Sequence, residues 1–499
     1  MAVSSSWLPR IYAVLVTVFA PLALLLVIPI AYVGQVYIIS SASYIFVSVF
    51  IFIQTCAAWW WDTKERYSVD IKTRSCRAGP LVGYGALAYV VPAYLKKMLP
   101  RCLGSIAPAY RKDEVAALLP SCDPLLRHAT LAYIVPAYLN NEADILDETL
   151  SSYCSLEFEG RIHVIVVYNS RGGIGEAETK LETKWDGTMN GRTKNISVRV
   201  VKNHESTSKA ENVNFALMSL IPADVDYIAI LDADHQPWPD SASVATRLMQ
   251  TEGYDILQGA CTIRNQDNFL SRMISVEFEH IYCVAHFGRF LVFDLGLFVG
   301  SNGYWKSSVL KEIQMEKSMM TEDIDSSIRA SLAGYKIGYS ADVVSSELAP
   351  VTFRVLRKQR LRWAQGWAEV SFKHASSCMT SAELSCRQKL GILHLLVVRE
   401  FFPYTAFWPM FCVAAALRLG DFMFSVIWAI LGGTVLVLGL MRVTAAYALS
   451  RGPIGSGVRW FAVFAVWGMF YDVYLNYLQV VAHGRSLLKA NAWVATVRH

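Results

Sequence analysis

The acidic segment Asp232-Ala233-Asp234 is the first part of this sequence whose residue types and spacing could support chemistry. It ends the apolar run Tyr227 to Leu231, so both carboxylates are predicted to emerge where a strand ends and a ligand would lie. Carboxylate oxygens bind Mg²⁺ or Mn²⁺, and such an ion would neutralise the charge on a departing nucleoside diphosphate. Alone, so short a motif favours the simpler interpretation of a strand ending at the surface.

A second acidic segment, Thr321-Glu322-Asp323, opens a predicted helix that ends near Ala333. By themselves these residues are explained as an N-cap followed by acids in the first helical turn. The catalytic interpretation instead makes Asp323 the general base that removes a proton from an acceptor hydroxyl. That interpretation depends on partners elsewhere in the chain.

The segment Gln359-Arg360-Leu361-Arg362-Trp363 supplies such partners. In a helix, Gln359, Arg362 and Trp363 lie on neighbouring turns and can face one pocket. Arg362 offers a forked cation to a phosphate, Gln359 a neutral donor, and Trp363 an aromatic face to a sugar ring. The remaining basic residues around this segment are predicted to lie on a membrane surface instead: Arg357, Lys358 and Arg360.

Lys209 begins the helix-like segment KAENVNFAL after a Ser/Thr-rich turn. At such a strand-to-helix junction a cation and the amides of the helix N-terminus can meet phosphate, although a solvated lysine is equally expected in isolation. The histidines near these segments lack metal-ligand spacing and are interpreted as structural: His204, His235 and His280.

The elements that must position these residues are short β-branched runs alternating with helix-like segments between Thr130 and Tyr339. This alternation predicts an α/β domain over residues 130–350, with a mostly parallel sheet covered by helices. The segment LAYVVPAYL at 87–95 nearly duplicates LAYIVPAYL at 131–139, and only the second copy is predicted to be a core strand. The predicted strands cover residues 131–138, 162–168, 197–201 and 227–234.

The chain is 54% hydrophobic and 17% charged, with a mean hydropathy of +0.32, which is too apolar for an ordinary soluble enzyme of 499 residues. No Asp, Glu, Lys or Arg occurs from Ile11 to Trp61, which is long enough for two membrane spans. The Lys and Arg residues that follow place the next segment in the cytosol. The predicted organisation is two spans at 1–61, a cytosolic linker at 62–129, the α/β domain at 130–350, interfacial helices at 351–399, three or four spans at 400–482 and a basic tail at 483–499.

The cysteine content and the net charge narrow the class of protein further. Ten cysteines without a C-x-x-C pair argue against a zinc cluster and suit a reducing cytosol. A net charge of +5 fits anionic lipid surfaces and a phosphate-bearing substrate, although basic cytosolic flanks would produce the same value. Nucleic acid is not expected as a partner.

Five ordered motifs, PAYLNNE, KAENVN, DADH, TED and QRLRW, lie between the predicted spans. In this order they resemble the processive family-two glycosyltransferases, which include cellulose, chitin, hyaluronan, curdlan and poly-N-acetylglucosamine synthases. The resemblance covers roughly residues 130–375, and five ordered motifs are far more specific than any one of them. It implies a nucleotide-diphospho-sugar transferase domain of the GT-A type, inserted between transmembrane helices.

The resemblance also implies roles for individual residues, with Asp234 as the metal ligand and Asp323 as the catalytic base. Where the family usually closes its second strand with an acidic pair, this chain has Tyr168-Asn169-Ser170, and the Asn169 amide can still hydrogen-bond a uracil edge. The other implied donor-binding residues are Tyr138, Glu142, Lys209, Asp232, Gln359, Arg362 and Trp363. The implied acceptor-binding residues are Gly300, Ser301, Asn302 and Trp363.

These inferences predict a multi-pass protein of the plasma membrane whose catalytic domain is cytosolic and uses Mg²⁺ or Mn²⁺. It is expected to extend a β-linked glycan, with inversion, from UDP-glucose or UDP-N-acetylglucosamine and to export the product. Membrane lipids and a homo-oligomeric or accessory subunit are the further partners expected. The alternatives are a single-addition transferase acting on a lipid phosphate and, in a different class, a non-catalytic transporter or scaffold.

One polar pair lies inside the last predicted span. Asp472 and Asn476 interrupt this apolar stretch, and an acid there requires a partner or a hydrated cavity. They are interpreted either as residues at a helix end or as part of the lining of a polymer conduit.

Overall fold

The computed structural model describes Pro9, Tyr12 and residues 49–61, 124–172, 174–190, 195–406, 437–451 and 458–487. Most of the two predicted N-terminal spans and of the predicted linker lie outside the described residues, as do residues 407–436 of the C-terminal apolar region. The first copy of the repeated segment, at 87–95, lies outside them too.

Among the described residues, nine strands form one sheet: β1 (Thr130–Tyr138), β2 (Arg161–Asn169), β3 (Met189–Asn190), β4 (Ile196–Lys202), β5 (Tyr227–Ile230), β6 (Gln236–Pro237), β7 (Ile256–Ile263), β8 (Gly303–Lys306) and β9 (Ile337–Glu347). Their order is β3-β4-β2-β1-β5-β8-β7-β9-β6. The strands β1, β2, β4 and β5 pair in parallel, as do β7 and β9, whereas β3, β6 and β8 pair antiparallel with their neighbours. The predicted α/β class with a mostly parallel sheet is therefore confirmed.

Helices follow most of the strands and continue beyond the sheet: α1 (Val49–Trp61), α2 (Pro124–Arg127), α3 (Leu139–Tyr153), α4 (Gly175–Trp185), α5 (Lys209–Ser219), α6 (Ser241–Glu252), α7 (Phe269–Glu279), α8 (Phe287–Phe293), α9 (Ser307–Ile313), α10 (Glu322–Leu332), α11 (Phe353–Thr380), α12 (Cys386–Ile392), α13 (Arg399–Ala406), α14 (Val437–Leu449) and α15 (Val458–Leu487). The π-helical turns His280–His286 and Leu393–Val398 join α7 to α8 and α12 to α13.

The central strands are apolar on both faces because helices cover both faces of the sheet. In β1, Tyr133 and Val135 enter one hydrophobic cluster, whereas Ala132 and Ile134 enter the other. A strand buried on both faces has no polar side and so shows no alternation in its sequence. This burial fixes the register of β1, β2 and β5, and with it the positions of the polar residues that follow these strands.

The helices after the sheet include the described part of the predicted C-terminal apolar region. Among the described residues, no single helix is long and apolar enough to cross a membrane, and α15 passes that test only as two segments, Val458–Gly468 and Phe470–Leu487, bent by 54°. Asp472 of α15 forms an ion pair with Arg442 of α14 at 3.1 Å. The acid in this apolar helix therefore has the charged partner that it requires.

Candidate active site

The residues predicted to contact the nucleotide lie at the carboxyl ends of β1 and β2, where Tyr138 and Asn169 are register partners. Oδ1 of the buried Asn169 accepts a hydrogen bond of 3.0 Å from Nδ2 of Asn212 on α5. Oε2 of Glu142 accepts the backbone N–H of Tyr138 at 2.8 Å and so caps the start of α3. These side chains therefore occupy the sheet edge at which α/β domains bind ligands.

Lys209, the first residue of α5, stands between the two acidic segments. Its ammonium lies 2.5 Å from Oδ1 of Asp232 and donates a hydrogen bond of 2.5 Å to the carbonyl oxygen of Gly300. Burial disfavours the charged ammonium, but the carboxylates of Asp232 and Glu322 outweigh this effect and raise the pKa of Lys209. A permanently charged cation is therefore fixed at this position.

The segment Asp232 to His235 follows β5. Residues at the end of β9 hold it in place. Oδ2 of the buried Asp234 accepts the backbone N–H of Leu348 at 3.2 Å. Nε2 of His235 forms an ion pair of 2.6 Å with Oε2 of Glu347. Burial lowers the pKa of His235, but the Glu347 carboxylate outweighs it and raises that pKa to about 10, so the imidazole is a cation at neutral pH.

The contacts of His235 decide which groups of the segment can bind a metal ion. Ligand atoms of Asp232, Asp234 and His235 lie within 4.8 Å of one another. Both ring nitrogens of His235 are already engaged, Nε2 by Glu347 and Nδ1 by Oγ of Ser345 at 3.0 Å, so the two carboxylates are the ligands that remain. A pair of carboxylates fits a hard divalent cation such as Mg²⁺ or Mn²⁺.

The loop Gly300-Ser301-Asn302, predicted to lie near the acceptor, packs between the two acidic segments. Gly300 has a φ of +101° and Asn302 a φ of +53°, conformations that Gly adopts freely and Asn tolerates. Oγ of Ser301 accepts the backbone N–H of Asp232 at 3.0 Å, and the buried Asn302 amide donates to two backbone carbonyls at 2.8 and 3.0 Å. A side chain at Gly300 would overlap the Asp323 carboxylate, so the loop lies directly against that acid.

Gly300→Ala is expected to lower sugar-nucleotide turnover by about tenfold or more, because the new methyl group displaces the Asp323 carboxylate. The left-handed backbone adds strain of about 1–3 kcal/mol. Gly187→Ala is the matched control, since Gly187 also has a positive φ of 73° but no atom lies within 4 Å of the added carbon. Thermal unfolding and turnover of both variants check this, and equal losses of turnover would contradict the contact with Asp323.

Glu322 and Asp323 open α10 as a pair of partly buried carboxyls. Burial raises the pKa of the Glu322 carboxyl to about 7, and the neighbouring Asp323 charge adds to that rise. Burial raises the pKa of Asp323 as well, while Lys209 and Arg362 limit the rise. A carboxylate whose pKa is raised toward the working pH is a more effective general base than an ordinary surface carboxylate. Asp323 is therefore suited to accept a proton.

The raised pKa values of Glu322 and Asp323 predict a loss of activity at acidic pH. A raised pKa means that the Asp323 carboxyl binds a proton at a higher pH than an ordinary aspartate, so the base is blocked at a higher pH than usual as the pH falls. We expect kcat/KM to fall about tenfold per pH unit on the acidic side. Glu322→Gln removes the neighbouring charge and should move this limb to lower pH. Turnover measured in buffers of constant ionic strength checks this, and a limb that Glu322→Gln leaves in place would contradict the coupling.

Helix α11 carries the predicted segment Gln359 to Trp363 and packs directly on α10. A side chain at Gly366 would overlap Thr321, so the helices touch where α10 begins. Gln359 is buried, and its Oε1 has no hydrogen-bond partner among the described residues, which is costly unless a ligand or water supplies a donor. The Arg362 guanidinium lies close enough to limit the rise in the pKa of both acids of α10. The third predicted segment therefore meets the second.

Arg360 does not lie on a membrane surface, and that prediction is wrong. Its side chain is 6% exposed, forms an ion pair of 2.7 Å with Glu277 of α7, and stacks 4.3 Å from the centre of the Trp363 ring. The sequence pattern could not reveal the partner because Glu277 lies 83 positions away. Arg357 and Lys358 are exposed, and for them the membrane surface stays a prediction.

Asp325 is a residue that sequence analysis did not single out. Its fully buried carboxylate accepts hydrogen bonds from Arg329 at 2.7 Å and from Lys373 and His374 at 2.8 Å each. Burial alone would raise the pKa of Asp325, but these bonds hold it below its usual range. Because Lys373 and His374 belong to α11, this cluster fastens the helix of Asp323 to the helix of Arg362. The one signal in the sequence was an acid on the apolar face of α10.

Two family models match the chain. The model described as Glycosyl transferase family 2 matches residues 133–312, and the model described as Glycosyl transferase family group 2 matches residues 227–475. Together they cover the sheet, both acidic segments and α11.

Curated proteins similar to this chain include glucomannan 4-beta-mannosyltransferase 9 of Arabidopsis thaliana, with 25% identity over 280 residues that cover 55% of this chain and 51% of that protein. Another is poly-beta-1,6-N-acetyl-D-glucosamine synthase of Staphylococcus aureus strain MSSA476, with 26% identity over 268 residues that cover 52% of this chain and 61% of that protein. The chain thus spans about half the length of the curated relatives it matches.

Solved structures give weaker likenesses. A mannosyltransferase from Pyrobaculum calidifontis, in complex with GDP-mannose and Mn²⁺, superposes with a TM-score of 0.47 at 17% identity, over 72% of this chain and 88% of that chain. Staphylococcus aureus TarS gives a TM-score of 0.37 at 15% identity, over 70% and 55% of the two chains. At these TM-scores neither likeness supports an inference about function.

Proposed function

The chain belongs to glycosyl transferase family 2 and is a glycosyltransferase, and from this premise we propose that it polymerises a β-linked polysaccharide from a UDP-sugar. The observation that carries the proposal is a continuous set of contacts. Asp232 meets Lys209, Lys209 meets Gly300, and Gly300 lies against Asp323, while α11 packs on the start of α10. These contacts support a single site with groups for a diphosphate, a proton and a sugar ring.

The names of the relatives bear on the linkage more than on the sugar. Both curated relatives are named for forming β-linked glycans, which supports a β-linked product. They differ in sugar, and our proposal is that this chain takes UDP-glucose or UDP-N-acetylglucosamine. Family membership favours an enzyme over the alternative of a non-catalytic transporter or scaffold.

We propose that Asp234, with Asp232 beside it, holds Mg²⁺ or Mn²⁺. The pair of carboxylates fits such an ion because oxygen atoms are its preferred ligands. When bound, the ion would help to neutralise the diphosphate of the donor. Lys209 contributes positive charge at the same place and keeps it in the absence of metal.

The proposed reaction is a single displacement. The acceptor hydroxyl oxygen forms a bond to the anomeric carbon while the bond from that carbon to the diphosphate oxygen breaks, and the hydroxyl proton moves to the Asp323 carboxylate. Attack opposite the leaving group inverts the anomeric configuration. Lys209 and Arg362 stabilise the charge that develops on the departing diphosphate, while Trp363 offers its ring to the acceptor sugar.

A donor panel tests this function. Purified full-length chain in lipid nanodiscs, supplied with Mg²⁺ or Mn²⁺, should release UDP from UDP-glucose or UDP-N-acetylglucosamine faster than GDP from GDP-mannose. Sizing the product and digesting it with linkage-specific hydrolases distinguishes a polymer from a single addition to a lipid phosphate. Release of nucleotide with a product of one sugar unit would refute polymerisation.

Trp363→Ala is expected to reduce polymer elongation by about tenfold while changing hydrolysis of the donor by water less than about threefold. The reason is that an aromatic platform worth roughly 0.5–1.5 kcal/mol beyond the area it buries acts on the acceptor sugar and not on the donor. Product length and the ratio of transfer to hydrolysis measure the effect. Trp367→Ala, one turn further along α11, is the matched control, and equal losses of transfer and hydrolysis in Trp363→Ala would contradict the acceptor role.

We further propose that the chain lies in the plasma membrane with its catalytic domain in the cytosol. The uncharged run from Ile11 to Trp61 and the Lys and Arg residues that follow it support this orientation. Thiol labelling of the exposed Cys386 in inside-out vesicles, but not in right-side-out vesicles, is the expected result. Labelling of Cys386 from the outer side would contradict the orientation.

A further inference from the structure

A buried polar network connects Trp363 to the C-terminal apolar helix. The Arg360 guanidinium stacks on the Trp363 ring with 4.3 Å to its centre and forms an ion pair of 2.7 Å with Oε2 of Glu277. The Tyr471 hydroxyl of α15 donates a hydrogen bond of 2.8 Å to that same oxygen. Phe278 lies 5.8 Å from the guanidinium and closes another side of it. The network thus joins three helices, α7, α11 and α15.

The geometry of this network does more than stabilise the fold. A buried ion pair contributes little net stability compared with apolar side chains of the same size, because both charges lose their hydration. What a forked guanidinium does provide is a fixed plane. Glu277 and Tyr471 set the orientation of the Arg360 guanidinium, and the Trp363 ring lies against it with 4.3 Å to the ring centre. The position of the indole therefore depends on Arg360, Glu277 and Tyr471.

We propose that Arg360 is a positioning residue for Trp363, and that α15 sets this position through Tyr471 and Glu277. The inference rests on the proposed function in one respect, the acceptor role of Trp363. Through these contacts, α15 affects how long the end of the acceptor glycan stays bound at Trp363. It does not act on donor binding, since Lys209, Asp232 and Arg362 lie outside the network.

The test uses two conservative variants in the full-length chain in nanodiscs. Tyr471→Phe removes the hydroxyl that donates to Glu277 and keeps the ring. Arg360→Lys keeps the positive charge beside Glu277 and removes the plane that stacks on Trp363. Tyr474→Phe is the matched control, because Tyr474 lies on the same helix and its hydroxyl has no hydrogen-bond partner among the described residues.

Two measurements are made on each variant. The first is a kinetic assay with UDP-glucose and UDP-N-acetylglucosamine in parallel. It gives the ratio of transfer to hydrolysis, the product length and the KM for the donor. The second is hydroxyl-radical footprinting of the peptide that contains Trp363, which reports how exposed the indole is without any turnover.

We expect Tyr471→Phe and Arg360→Lys to lower the transfer-to-hydrolysis ratio by about tenfold, the factor that corresponds to one hydrogen bond to a charged group. Donor KM should stay within about twofold, oxidation of Trp363 should rise severalfold, and Tyr474→Phe should match the wild type. Unchanged oxidation and product length in both variants, or a parallel loss of transfer and hydrolysis, would overturn the inference. If the wild type releases no nucleotide, the proposed function fails, and the footprinting result still decides the positioning role. If Arg360→Lys does not fold, Tyr471→Phe decides alone.

Discussion

Asp323→Asn is expected to abolish sugar transfer while leaving donor binding intact. The amide keeps the size of the carboxylate and one of its acceptor oxygens but cannot take up the proton of the acceptor hydroxyl. General base catalysis typically contributes about 10²–10⁴-fold, so the transfer rate should fall by that factor. Binding of the UDP-sugar, measured by calorimetry, should change by less than about threefold, because Lys209 and Asp232 are untouched.

Glu322→Gln is the matched control for this prediction, since Glu322 is the neighbouring acid of the same helical turn. At alkaline pH this variant should keep most of the wild-type transfer, because the remaining Asp323 carboxylate is then ionised. Normal transfer by Asp323→Asn would remove Asp323 from the role of base. Loss of donor binding in the same variant would instead make it a donor contact.

Asp234→Ala is expected to abolish metal-dependent nucleotide release, an effect as large as that of Asp323→Asn. Removing one of two carboxylates weakens a hard-cation site, and the several kcal/mol that such an ion supplies correspond to a loss of at least about 10³-fold. Titration of Mn²⁺ followed by electron paramagnetic resonance should show tight binding in the wild type and loss of binding in the variant.

Asp224→Ala provides the matched acidic control, because Asp224 is exposed and pairs with Arg161 at the opposite edge of the sheet. It should bind Mn²⁺ and release nucleotide like the wild type. Binding of Mn²⁺ by Asp234→Ala with unchanged affinity would place the metal site elsewhere.

The strands could be predicted from the sequence because their apolar runs are buried on both faces. The observed β1 is longer than the predicted strand by one residue at its start, and β2 and β4 are each longer by one residue at both ends. The strand predicted at 227–234 ends instead at Ile230, since the polar residues that follow turn away to the sheet edge. A hydrophobic run indicates where a strand lies, but the carboxylates at its end do not show where its last hydrogen bond forms.

The chemical segments could be named from the sequence, whereas the contacts between them could not. Nothing in the spacing indicates that Lys209 reaches both Asp232 and Gly300, because 91 positions separate Lys209 from Gly300. The close approach of Gly366 to Thr321 depends in the same way on how α11 packs on α10. Contacts of this kind arise from tertiary packing, on which a single sequence carries no direct signal.

Arg360 and Asp325 show how charged residues mislead when only local pattern is available. A basic residue beside aromatic residues is typical of a membrane surface, yet Arg360 is buried because Glu277 neutralises it. An acid in the first turn of a helix usually interacts favourably with the helix dipole and stays exposed. Asp325 is buried instead, because it binds Lys373 and His374 of α11. In both residues the deciding partner lies on another helix.

A structure of the full-length chain with UDP and Mn²⁺, determined by cryo-electron microscopy in nanodiscs, tests the central claim most directly. We expect the metal at Asp234, the diphosphate between Lys209 and Arg362, and the Asp323 carboxylate facing the space where the sugar would lie. Nucleotide bound away from these residues, or Asp323 and Arg362 facing separate cavities, would contradict it.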